Sequence, residues 1–173
     1  MNQYVSLAKK AIETYISEGK IIDSPKDFSK EKAGVFVTLM KEKQLRGCIG
    51  TYLPTKENMA EELIQNAIAA ATEDYRFGKV KKEELPSLSY EVSILSEPEK
   101  VKDMKELNAR KFGVIVKTIS WPHKSGLLLP DLEGVDTVED QILICCQKGG
   151  INPKEEETEI YKFTIRKYEE SDK

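Results

Sequence analysis

The sequence predicts an α+β fold: an antiparallel or mixed β-sheet flanked by α-helices. Helical and strand periodicities are mixed along the chain, and the strand-like runs neighbour one another as hairpins instead of alternating regularly with helices. No repeat, low-complexity tract or Ser/Gly-rich linker divides the 173 residues. Residues 1–173 therefore read as one domain, long enough to bury a core without staples.

Tyr4 to Ser17 reads as a helix, because Val5, Ala8, Ile12 and Tyr15/Ile16 recur at helical spacing and Gly19 can close its end. Val35–Leu39 and Leu45–Ile49 flank the polar Lys41–Gln44, which predicts a hairpin. Asn58 and Glu61 form a capping-box variant that opens a helix with Ala60, Leu63, Ile64, Ala67, Ile68 and Ala71 on one stripe. Leu88, Tyr90, Val92 and Ile94 alternate with Ser89, Glu91 and Ser93 in a half-buried strand. Gly113–Val116 and Leu127–Leu129 are further strands around the turn-rich Trp121–Gly126. Thr137 caps a helix to Lys148, ended by Gly149-Gly150, and Tyr161, Phe163 and Ile165 mark a final strand.

Composition excludes several function classes. The net charge of -3 argues against nucleic-acid and anionic-membrane partners, which favour a basic footprint. No apolar run approaches the roughly 18 residues needed to span a bilayer, and the N-terminus has no secretion-signal pattern, so the expected location is the cytoplasm. Cys48, Cys145 and Cys146 form neither a disulfide framework nor a metal-ligand spacing, and His123 stands alone. No metal and no cofactor are expected. Phosphate-binding loops, nucleophile elbows and zinc-protease motifs are absent.

The segment Leu45-Arg46-Gly47-Cys48-Ile49-Gly50 carries the candidate chemistry. On a regular strand Leu45, Gly47 and Ile49 share one face, and Arg46, Cys48 and Gly50 the other. A guanidinium would then stand roughly 6–7 Å from a thiol and favour its thiolate. A bulge would reverse that facing. The bland alternative is a cysteine acting as a small apolar filler between glycines that permit close packing. Asp74 and Arg76 suit a charge-assisted pair holding a loop or facing a ligand. Glu91 is either solvent-facing or, in a pocket, a proton-transfer group.

The same hexapeptide resembles the signature of the AMMECR family. Ala69–Phe77 with its Asp-x-Arg-Phe, Glu84-Leu85 with Tyr90–Leu95 and Pro98, Gly113–Val116, Gly126–Pro130, and Lys148–Ile151 with Tyr161–Phe163 resemble its later blocks in order, over nearly the whole chain. Phe112 stands where that pattern has histidine, Asp131-Leu132 replaces Gln-Val, and Glu133–Asp140 lacks the usual tryptophan. The resemblance implies an antiparallel sheet flanked by helices, with room for a smaller lobe, and association with a Memo-like protein and a radical S-adenosylmethionine protein, the AmmeMemoRadiSam system. Two functions follow as expectations. In the first, the chain is an accessory or binding component of that system, with Gly47, Gly50, Asp74 and Arg76 shaping a recognition surface for an unknown small molecule or partner. In the second, it is an enzyme using Cys48 as nucleophile or thiol ligand, Arg46 as activator and Glu91 as supporting acid–base group.

Overall fold

Local chemistry sets most element boundaries in the computed structural model, which describes residues 1–170. The side chain of Asn2 accepts from the Tyr4 amide at the start of helix α1 (Gln3–Glu18), and left-handed Gly19 ends it. Strands β1 (Val35–Lys41) and β2 (Gln44–Thr51) form an antiparallel hairpin. Glu42 and Lys43 both take positive φ, 51° and 63°, in the mirror-type two-residue turn that matches strand twist. Asn58 caps helix α2 (Met59–Thr72) by accepting from the Glu61 backbone amide at 3.0 Å, while its side-chain Nδ2 donates to the Glu61 carboxylate. A short 3-10 turn, Lys82–Ser87, leads into β3 (Leu88–Leu95), which pairs antiparallel with β1.

The described chain divides into two compact units, one of residues 1–95 with 166–170, the other of residues 96–165. In the first unit, Val35, Val37 and Leu39 of β1 and Tyr90, Val92 and Ile94 of β3 pack with Val5, Ala8 and Ile12 of α1. Leu63, Ala67 and Ala70 of α2 join the same core. The small residues let α2 lie close to the sheet. A Cβ on Gly47 would overlap the carbonyl oxygen of Ala70.

The second unit contains β4 (Glu99–Lys100), β5 (Gly113–Thr118), β6 (Ser125–Leu128), helix α3 (Val138–Gly149) and β7 (Thr158–Phe163), with the sheet in the order β4-β7-β5-β6. Thr137 caps α3 and left-handed Gly150 closes it. Val114, Val116, Leu128, Cys145, Cys146 and Ile151 form the core. Cys145 donates its thiol hydrogen to the Val114 carbonyl at 3.5 Å, and burial pushes its thiol up to about 12. Cys145 and Cys146 are thus inert packing between helix and sheet.

The α+β class is as expected, with antiparallel pairing. The C-terminal strand differs from the sequence reading. The alternation through Tyr161, Phe163 and Ile165 is broken after Phe163: β7 belongs to the second unit's sheet, and β8 (Ile165–Glu169) joins the first, in the order β2-β1-β3-β8. Period-two patterning identifies extended chain but does not say which sheet it joins.

Candidate functional site

The hexapeptide lies in β2, an edge strand, and a bulge decides where its side chains go. Met40 pairs with Leu45 and Leu39 with Gly47, which leaves Arg46 as the extra residue. From Gly47 onward the expected alternation holds. Gly47 and Ile49 face the helices with Leu39 and Val37, while Cys48 and Gly50 stand opposite Thr38 and Phe36 on the other face. Before Gly47 it fails. Arg46 is turned away from Cys48 and forks onto Glu84, with Nε–Oε1 at 3.0 Å and Nη2–Oε2 at 2.9 Å. Lys41 donates to the same Glu84 carboxylate at 3.1 Å. The Arg46 guanidinium beside it, with the Lys81 amide, holds the Glu84 carboxyl down to about 2. Arg46 also donates to the carbonyls of Gly78 and Lys79, both at 3.3 Å.

Asp74 closes the outer side of the same strand. Its side chain is 3% exposed, and Oδ2 accepts from the Cys48 amide at 2.9 Å, an edge N–H that no strand satisfies. Arg76 returns to it through Nε at 3.0 Å, Nη2 at 2.8 Å and its own amide at 3.2 Å. The Arg76 guanidinium holds the Asp74 carboxyl at about 2, against an ordinary 3.8. The predicted Asp74–Arg76 pair therefore exists, and its work is to tie the loop after α2 to the signature strand.

Cys48 lies in a polar row across the face of this sheet that points away from the helices. Its Sγ is 3.2 Å from Thr38 Oγ1; Thr38 pairs across with Glu91, and Glu91 meets Lys167 of β8 at 3.1 Å. Burial pushes the Cys48 thiol above its ordinary value of 9.0, and Asp74 and Glu91 add to the rise. The Thr38 hydrogen bond and Arg76 oppose it without cancelling it. The cation that acts on this thiol is Arg76, while the predicted activator Arg46 is engaged with Glu84. At neutral pH Cys48 is a thiol, suited to hydrogen bonding or soft contact.

One polar cluster has no counterpart in the sequence reading. Glu62 sits on α2 with 2% exposure. Its carboxylate accepts from the hydroxyls of Thr51 and Thr55 and from the amides of Thr55 at 2.7 Å and Lys56 at 2.8 Å. Asn66, one turn on, donates to the Val35 carbonyl at 2.9 Å and to Thr51 at 3.0 Å. Together they pin the chain leaving β2. Glu62→Ala should cost about 2–3 kcal/mol in chemical denaturation, because four hydrogen bonds to a buried carboxylate are lost at once; a loss below about 0.5 kcal/mol, the usual surface effect, would remove this role. The signal available in the sequence was the pair of threonines around Pro54, since hydroxyl-bearing loops seek local acceptors.

His123 lies on the β5–β6 loop of the second unit, its ring edge-on to Trp121 at 5.9 Å. Among the described residues no group of three His, Cys, Asp or Glu side chains is placed to hold a metal ion. No helix among them is long and apolar enough to cross a membrane.

The sequence model of the AMMECR1 family matches residues 5–168. A Thermotoga maritima protein is 51% identical over 170 residues, which cover 95% of this chain and 96% of that one. A Clostridium acetobutylicum protein is 44% identical over 173 residues, covering 97% of this chain, but the match spans 36% of that relative's length. The crystal structure of the uncharacterized protein PH0010 from Pyrococcus horikoshii is similar with a TM-score of 0.88 at 38% identity, covering 97% of this chain and 90% of that one.

Proposed function

This chain belongs to the AMMECR1 family, and on that footing we propose that it is a cytoplasmic accessory component that docks on other proteins. The partners proposed are a Memo-like protein and a radical S-adenosylmethionine protein. The observation that carries this reading is the use to which the signature strand is put. Arg46 and the Cys48 amide are engaged in holding the 74–79 loop, and the Cys48 thiol is kept protonated. The Clostridium acetobutylicum relative supports it, because there the matching segment is joined in one polypeptide to a longer remainder. With the two partners reconstituted, Cys48→Ala is expected to leave system activity within about twofold, the size of a small surface effect. Loss of activity in a variant that still folds counts against docking alone.

A second reading, catalysis by Cys48, is favoured by the Cys48–Thr38–Glu91 row. There Glu91 would accept the thiol proton through the Thr38 hydroxyl, and Arg76 would take the place proposed for Arg46. The two readings part in a thiol titration of the native protein. For docking, alkylation of Cys48 is slow at neutral pH and rises only above about pH 9, as expected of a buried thiol. Fast alkylation near pH 7 that is lost in Glu91→Gln would establish the catalytic reading instead.

A further inference from the structure

A firmly held turn in the first unit carries the most exposed aromatic side chain described. The Asp74 carbonyl accepts from the amides of Phe77 at 3.1 Å and Gly78 at 3.2 Å, and Val80 returns to the Ala71 carbonyl at 2.7 Å. Gly78 has φ of 73°, the left-handed conformation that glycine adopts without strain. Arg46 grips the carbonyls of Gly78 and Lys79 from one side, and Asp74 grips the Cys48 amide from the other. The Arg76 guanidinium lies 5.2 Å from the centre of the Phe77 ring, a cation–π contact within the turn. None of these bonds uses the Tyr75 side chain, which is 94% exposed. A turn fixed in advance removes most of the backbone ordering cost from association. Tyrosine, arginine and phenylalanine are the residue types enriched where interfaces concentrate their binding energy.

Charge around the turn narrows the partner. Asp74 is engaged by Arg76, and Glu84 by Arg46 and Lys41. Lys79, Lys81 and Lys82 make no ion pair among the described residues, and within the segment 73–84 the carboxylates left unpaired are Glu73 and Glu83. Three lysines against two glutamates leave a small positive excess on a chain of net charge -3. We propose that the Tyr75-Arg76-Phe77 turn is the docking element of this protein and that it fits a protein partner presenting an apolar slot rimmed by carboxylates. The proposal rests on the docking reading above and locates it. The signature strand then acts as a positioning clamp, and the surface it positions is one strand-edge away from the hexapeptide itself.

The experiment measures binding of the full chain to the purified Memo-like and radical S-adenosylmethionine proteins by calorimetry. Wild type should bind one of them, more weakly as salt rises. Tyr75→Ala should weaken that binding about 30-fold or more, and Tyr75→Phe by a few-fold at most. Trp121→Ala, a comparably exposed aromatic at 85% but in the second unit, should bind as wild type. Unchanged thermal unfolding of Tyr75→Ala shows that the fold is kept, since its side chain is bonded to nothing in the turn. Wild-type affinity in Tyr75→Ala overturns the assignment of the turn and leaves docking standing. Failure of wild type to bind either protein overturns the docking reading and this inference together.

Discussion

Replacing buried Asp74 by alanine is expected to destabilise the first unit by about 3 kcal/mol, because it strands the half-buried Cys48 amide and removes a charge-assisted fork at once. The carboxylate holds Cys48 at 2.9 Å and Arg76 at 2.8 Å, so both the edge of β2 and the 74–79 turn lose an anchor. The contribution is also pH-dependent, with a definite sign. In the folded chain the carboxyl is held at about 2, below its ordinary 3.8. The folded state therefore binds fewer protons than the unfolded one between those values, and acid favours unfolding. The stabilisation is complete above about pH 5 and is lost as pH falls from about 4 to about 2, amounting to roughly 2 kcal/mol. Glu84, lowered to about 2 by Arg46, weakens over a matching window. Denaturant titrations across this range should show Asp74→Asn with a shallower loss of stability on acidification than wild type. Parallel curves for the two proteins would mean that Asp74 is not the linked group.

Gly47→Ala should be nearly as damaging for a different reason. Its new methyl group meets the carbonyl oxygen of Ala70, inside α2. That oxygen cannot step aside unless the helix lifts from the sheet, so overpacking of about 3 kcal/mol is expected. Gly50→Ala provides the contrast. Its methyl group meets the Cγ end of half-buried Phe36, which must turn its whole ring about χ1 to give way but moves no helix backbone, so the cost should be smaller, about 2 kcal/mol. Thermal unfolding of the two variants side by side gives the order. Equal losses, or Gly50→Ala the worse, would contradict the close contact between β2 and α2. The two glycines of the signature thus act differently: one admits a helix backbone, the other an aromatic ring.

Much of the fold was legible in the sequence because its signals are local. The Asn58–Glu61 box, the Thr137 cap and the left-handed Gly19 and Gly150 depend on residues within one turn of each helix end. The apolar stripe of α2 was legible for the same reason, but Glu62 and Asn66 beside it were not. Periodicity assigns polar residues to solvent, whereas these are buried because the chain leaving β2 folds its amides and hydroxyls onto them. A bulge in this hairpin was among the expectations, but its place at Arg46 was not legible. A strand alone carries no record of which partner residue it skips, and that skip carries the guanidinium from Cys48 to Glu84.

By itself the sequence determined the α+β class, the helix ends, the hairpins and the family, since each follows from neighbours along the chain or from ordered motifs. Tertiary structure alone decided that the last strands part between two sheets, and that Thr38, Asp74, Arg76 and Glu91 surround Cys48. It also decided that the signature strand holds a turn with Tyr75 in solvent. The physical reason is common to all three. Cross-strand register and burial arise from contacts between segments distant in sequence, and neither periodicity nor residue type encodes which segments meet.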